Sequence, residues 1–155
     1  MNRAINLEAA VWLTQLSKRT LWRRLSEGQI TRQDNDDEGR AMLNLEDIVP
    51  MLCMPVAKQD YDLIVEAAAG DAEAQNNVAL LFLDADKADL GLHWLALAAD
   101  KGHPDAMHNL SKLYIQGRGT PKNDSLGLMW LAKAAALGHV IASEQVTALT
   151  RFRKT

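Results

Sequence analysis

Cysteine is nearly absent: Cys53 is the single thiol in 155 residues. One cysteine excludes an internal disulfide framework and every multi-cysteine metal site, and it reads as a buried small hydrophobe. Aromatic residues are scarce at 5%, yet four of them are Trp. Neither sign of charge dominates, with 17 Lys and Arg against 20 Asp and Glu for a net charge of −3. That balance excludes a uniformly basic nucleic-acid binder and a strongly acidic mimic. Long hydrophobic runs are missing too. The longest, residues 48–57, is interrupted by Pro50 and Pro55, whereas a membrane span needs about 18 apolar residues. Near the N-terminus Glu8 breaks the apolar stretch and no clean small-residue cleavage site follows, so no signal peptide is expected. The expectation is a soluble protein of a reducing compartment, the cytoplasm, with no membrane partner.

What is present is Ala and Leu, both strong helix formers. The length fits one large domain or two small ones. The texture changes at residues 50–58, where Pro50 and Pro55 bracket an apolar Met-Leu-Cys-Met stretch. Each proline discourages a helix from running through it. The stretch is therefore expected to be an apolar connector that packs against something.

Beyond it the chain repeats. The run from Leu90 to Ala99, with Gly91, Trp94, Leu95, Ala96 and Ala98, recurs 36 residues later from Leu126 to Ala135, with Gly127, Trp130, Leu131, Ala132 and Ala134. Gly102-His103 recurs at the same offset as Gly138-His139. Gly70-Asp71 resembles the same helix end 32 residues before Gly102. The four residues missing from that first unit fall around Asp84–Lys87, where the second has Gly117-Arg118-Gly119-Thr120-Pro121-Lys122. A period in the thirties with two helices per unit predicts a stacked helical array. Pro104 suits a first helical position, Asp71 can cap a helix, and Gly70, Gly102 and Gly138 suit left-handed helix ends. Ala106, Leu110, Leu113 and Tyr114 make one apolar helix face. Asp105, His108, Asn109, Lys112 and Gln116 make a polar stripe at the same spacing.

Residues 103–138 resemble a Sel1-like repeat, a relative of the tetratricopeptide repeat. The resemblance is carried by Ala106, Leu110, Ser111 and Tyr114 on a first helix. It continues through Gly117, Gly119, Pro121 and Lys122 in the turn, then Trp130, Lys133, Ala134, Ala135 and Gly138 on a second helix. Asn123 stands where that family usually has Asp, and Gly127 where it usually has Ala. Residues 71–102 resemble a shortened copy, 59–70 a lone second helix and 139–150 a lone first helix. The resemblance implies an α-α superhelix over residues 59–152 that works by protein–protein binding. One helix pair cannot bury its apolar face alone, so neighbours cover it. Trp94 and Trp130 are expected to fill the volume between backbones that Ala and Gly let approach.

The first 49 residues read differently. Leu7, Ala10, Val11 and Leu13 predict a short helix core. Ser17 can cap a second helix that Gly28 ends, with Leu21 and Leu25 facing inward. Ile30 and Leu43 flank a polar tip, Asp36-Asp37-Glu38-Gly39, as in a hairpin, and a third helix opens at Asn44. This order, through Leu7, Glu8, Ala10, Ser17, Thr20, Leu21, Gly28, Ile30, Leu45, Glu46, Asp47 and Ile48, resembles the small winged helix-turn-helix of the MerR and excisionase type. The resemblance implies DNA binding, with Lys18, Arg19, Arg23 and Arg24 on the second helix as the groove and phosphate residues. Charge divides the case. That helix carries four cations in seven residues, while the wing carries Asp34, Asp36, Asp37 and Glu38, which repel phosphate. A helix-turn-helix that binds protein instead remains the alternative.

No catalytic constellation emerges. His103 and His139 occupy equivalent helix starts, and no pair among His93, His103, His108 and His139 has the i, i+4 spacing of a helical zinc site. Gly117-Arg118-Gly119 is too short for a phosphate loop. The expectation is a mainly all-α, non-enzymatic protein, bacterial by its winged-helix resemblance, without cofactor or metal. A protein partner would lie in a groove lined by Glu73, Asn76, Asn77, Asp105, His108, Asn109, Lys112 and Gln116, a stripe that reads equally as a solvated face. The alternative is a DNA-binding regulator whose repeats recruit a partner. A single helix-turn-helix then calls for a homodimer.

Overall fold

A computed structural model describes residues 2–151; the outer ends of the two expected regions, Met1 and residue 152, lie outside the described residues. The chain divides into two compact units, parting between Asp71 and Ala72.

The N-terminal unit opens with strand β1 (Ala4–Asn6), followed by helices α1 (Leu7–Thr14) and α2 (Lys18–Ser26). Strands β2 (Arg32–Gln33) and β3 (Met42–Asn44) come next, then helix α3 (Leu45–Ile48). Two 3-10 turns, Val49–Met51 and Lys58–Asp60, lead to helix α4 (Tyr61–Ala69). The expected hairpin is β2 and β3, but β3 is the centre of a three-stranded antiparallel sheet in the order β1-β3-β2, with Ile5 opposite Leu43. Three residues are too few for an alternation that could announce β1 in the sequence. Ile5, Leu21, Ile30, Leu43, Leu45 and Ile48 are fully buried and make the core. Leu25, Leu7 and Val11 are only half-buried. Ser17 caps α2 as expected, its Oγ accepting from the Thr20 N–H at 3.1 Å.

Helix α4, expected as a lone repeat helix, packs instead on β1. Asn6 explains why. Its Oδ1 accepts from the Ala9 N–H at 2.8 Å and caps α1, while its Nδ2 donates to the Ala68 carbonyl at 2.9 Å in the interior. Arg3 adds an ion pair to Asp62 at 2.7 Å. The connector is also packed: the Cys53 N–H donates to the Leu13 carbonyl at 3.2 Å and Met54 is buried, although Cys53 itself is half-buried. Asn6→Ala removes a cap and strands a buried carbonyl, so a loss of about 2 kcal/mol is expected, measurable by urea titration.

The C-terminal unit contains α5 (Ala72–Asp84), α6 (Ala88–Asp100), α7 (Pro104–Gln116), α8 (Asp124–Ala136) and α9 (Val140–Arg151), each packed on the next. Val78, Phe82, Trp94, Leu95, Leu110 and Leu131 are buried together with the small residues Ala98, Ala106, Ala134 and Ala142. His103 and His139 play the structural part their equivalent positions suggested. Each imidazole Nδ1 accepts from a first-turn N–H, that of Ala106 at 3.2 Å and that of Ala142 at 3.1 Å. Asn123 does the work of the usual Asp, capping α8 through the Leu126 N–H at 3.0 Å. Gly70, Gly102 and Gly138 end their helices with left-handed backbone. Gly127 departs from Ala for a reason of space, because a Cβ there would drive into Ile115 Cγ1 and sit 3.1 Å from the Ser111 carbonyl.

Candidate functional site

The polar stripe lies on first-position helices of the repeats, and the offset between α5 and α7 sets its rungs. Glu73 corresponds to Asp105, Asn76 to His108, and Asn77 to Asn109. Three residues on, Leu80 corresponds to Lys112. Helix α9 continues the series with Ile141, Glu144, Gln145 and Ala148. Glu73, Asp105, Lys112 and Gln116 are exposed, Asn77 and Asn109 half-buried, and Asn76 and His108 buried. The eight expected residues thus fall into three classes of burial.

Asn76, His108 and Asn109 join helices of successive repeats. Asn109 Nδ2 on α7 donates to Asn76 Oδ1 on α5 at 3.2 Å. One repeat later His108 Nε2 meets Gln145 Oε1 on α9 at 3.0 Å. Both bonds run from the Asn76/His108 rung of one repeat to the Asn109/Gln145 rung of the next. His108 also stacks on His139, ring centroids 4.5 Å apart at 27°. His139 accepts at Nδ1, so in its neutral form the proton sits on Nε2, which faces Asp105 Oδ1 at 3.2 Å. These bonds tie α5 to α7 and α7 to α9 through side chains.

Leu80 is the member that residue type concealed. It is an exposed hydrophobe in the middle of the stripe, and only the 32-residue offset to Lys112 would have exposed it in the sequence.

Burial holds the His108 imidazole below its ordinary range, with His139 and Lys112 adding to the effect and Gln145 and Asp105 opposing it. The folded protein therefore takes up this proton less readily than the unfolded chain. The stabilisation is complete above the ordinary imidazole value of about 6.5 and is lost as pH falls below it toward the depressed folded value. Thermal unfolding midpoints at pH 7.5 and pH 5.5 are expected to differ, and His108→Gln is expected to shrink that difference.

In the N-terminal unit the four cations of α2 do not act alike. Lys18, Arg19 and Arg23 are exposed, and Lys18 pairs with Glu8 at 2.8 Å. Arg24 is half-buried, with its Nη1 donating to the Met51 sulfur at 3.1 Å and its Nε buried. Trp22, which residue type alone did not single out, stands exposed between them with the Arg32 guanidinium 5.9 Å from its ring centroid. On the loop between β2 and β3, Asp36 turns in to pair with Arg40 at 2.6 Å, while Asp34, Asp37 and Glu38 remain exposed.

Among the described residues no group of three or more His, Cys, Asp or Glu is placed to hold a metal ion, and no helix is long and apolar enough to cross a membrane.

A family model described as the Sel1 repeat matches residues 72–103 and 104–139. Among solved structures, the chain is similar to the crystal structure of a Sel1 repeat protein from Oxalobacter formigenes. The two are 32% identical with a TM-score of 0.51, over 56% of this chain and 68% of that one. It is also similar to the crystal structure of a protective antigen present in uropathogenic Escherichia coli strains and displaying an SLR fold. There the identity is 27% and the TM-score 0.51, over 66% of this chain and 20% of that one, so this chain spans about a fifth of that protein's length. No curated protein matches it significantly.

Proposed function

The chain belongs to the Sel1-repeat family, and from that membership we propose that it is a non-enzymatic cytoplasmic adaptor that docks a protein partner on the stripe of its repeat helices. The observation that carries this reading is the pair of inter-helix bonds, Asn109 to Asn76 and His108 to Gln145. On the same helices, α5 and α7, Glu73, Leu80, Asp105, Lys112 and Gln116 stand exposed. A preformed face with an apolar centre and both signs of charge suits a folded or helical protein surface, where charge pattern sets the partner and its on-rate. Affinity capture from the host lysate tests it. Asn77→Ala combined with Lys112→Glu is expected to reduce the recovered partner at least about tenfold, as loss of two contacts of 1 kcal/mol or more predicts, with the helical circular dichroism unchanged. Undiminished recovery of every partner would remove the stripe from consideration.

A second reading has one observation in its favour. Helix α2 presents Lys18, Arg19 and Arg23 around an exposed Trp22. That face suits DNA, bound by a homodimer of the winged-helix type, with the repeats recruiting a further protein. The exposed acids of the β2–β3 loop oppose phosphate contact. A gel shift on genomic fragments at low salt is the test; this reading requires a shifted band that Arg19→Ala with Arg23→Ala abolishes and that rising salt weakens steeply.

A further inference from the structure

In the N-terminal unit, helix α2 and the β2–β3 loop border one face. Lys18 and Trp22 of α2, with Arg40 and Ala41 at the end of the loop, line a single cleft of about 240 Å³. Arg40 is held to the loop by Asp36 at 2.6 Å and lies 3.4 Å from Glu38. From β2, the Arg32 guanidinium reaches to 5.9 Å from the Trp22 ring centroid.

The charges of this face divide into spent and free. Lys18 is spent on Glu8, and Asp36 and Glu38 on Arg40. Arg19 and Arg23, one turn apart on α2, are exposed and make no ion pair among the described residues. The same holds of Asp34 and Asp37 on the loop. Trp22 is 41% exposed, and among the described residues it is the one large hydrophobe of this unit that stands open to water. The face thus carries two free cations on its helix, two free anions on its loop and an open indole.

We infer that this face binds a second copy of the chain across a two-fold axis, α2 of each copy against the β2–β3 loop of the other. A two-fold interface joins the same patch to itself, so a contact made in one direction is made again in the other. Arg19 and Arg23 then meet the anions of the partner copy's loop, and Asp34 and Asp37 meet the cations of its helix. Every free charge of the face is answered, and Trp22 is the aromatic anchor that such an interface needs. DNA or an acidic protein answers only half of the face. Either one suits Arg19 and Arg23 but sets its own anions against Asp34 and Asp37, and like charges across an interface cost affinity. The dimer covers α2, so it closes that helix to a DNA groove, and it uses no residue of the repeat stripe.

Sedimentation of the full chain at low salt, with the charges exchanged in pairs, is the test. The unaltered chain is expected to form a dimer that rising salt weakens. Arg19→Glu with Arg23→Glu sets like charges against the partner's loop, and Asp34→Lys with Asp37→Lys sets them against its helix. Each pair of substitutions is expected to raise the dimer Kd at least about tenfold, as is Trp22→Ala. The variant with all four charge exchanges keeps the net charge of −3 and makes every contact again with its sign reversed. It is expected to dimerise as the unaltered chain does. All of these side chains are exposed, so the helical circular dichroism is expected to stay unchanged. A chain that stays monomeric at low salt overturns the inference. So does a dimer indifferent to either pair of substitutions, or a four-exchange variant that stays monomeric. A shifted band on genomic DNA that Arg19→Glu with Arg23→Glu abolishes also overturns it, since α2 is then open to a groove.

Discussion

Trp94→Ala is expected to lower the unfolding free energy by about 3–5 kcal/mol, whereas Trp130→Ala, the same motif position one repeat later, is expected to cost under about 2 kcal/mol. The two residues share a sequence environment, with Gly three positions before and Leu immediately after. They do not share burial. Trp94 is 2% exposed among Leu90, Leu95 and Ala98, so its removal leaves a cavity that the packed helices cannot collapse. Trp130 is half-buried, with the Lys133 ammonium 4.8 Å from its ring centroid, and water can enter the space it vacates. At about 2–4 °C per kcal/mol for a chain of this size, thermal unfolding of the two variants separates them clearly. Equal losses would mean that the two repeat positions are packed alike.

Gly119→Ala is expected to cost more than about 3 kcal/mol, against about 1–2 kcal/mol for Gly102→Ala. Both glycines have left-handed backbone, φ +75° and +84°, so both substitutions bear the same conformational penalty. At Gly102 an added Cβ meets nothing within 4 Å. At Gly119 it meets the carbon and oxygen of the Ala88 carbonyl at 2.5 Å, and backbone at a helix start cannot swing aside as a flexible side chain would. The difference between the two variants isolates the seating of the turn on the preceding repeat. A Gly119 variant as mild as the Gly102 variant would show that this seating contributes nothing.

Particular residues show how far the sequence reaches. The repeat was legible because Trp94 and Trp130, Gly102 and Gly138, and His103 and His139 each mark one structural position twice. Their chemistry, a buried ring, a left-handed stop and an imidazole cap, is local to the helix that carries them. Helix α4 was misplaced because Ala67, Ala68 and Gly70 look like any repeat helix end. What assigns it to the N-terminal unit is a bond from Asn6 to Ala68, 62 residues apart, which no local pattern announces. The stripe was legible as a helical spacing, but its division into structural and open members was not. Asn76, Asn109 and His108 are spent largely on one another and on Gln145, and side-chain partners on different helices leave no periodic signal. Arg24 is a similar case: its spacing places it with Arg19 and Arg23, and only the packing of Met51 turns it inward.

The central claim is that a protein partner docks on the repeat face. It is tested most directly by placing a photocrosslinking amino acid at Lys112 in one variant and at Arg19 in another, in the native host, and irradiating. The account predicts a crosslinked protein from position 112 that disappears when Asn77→Ala is added. Crosslinks from position 19 with none from position 112 would contradict it.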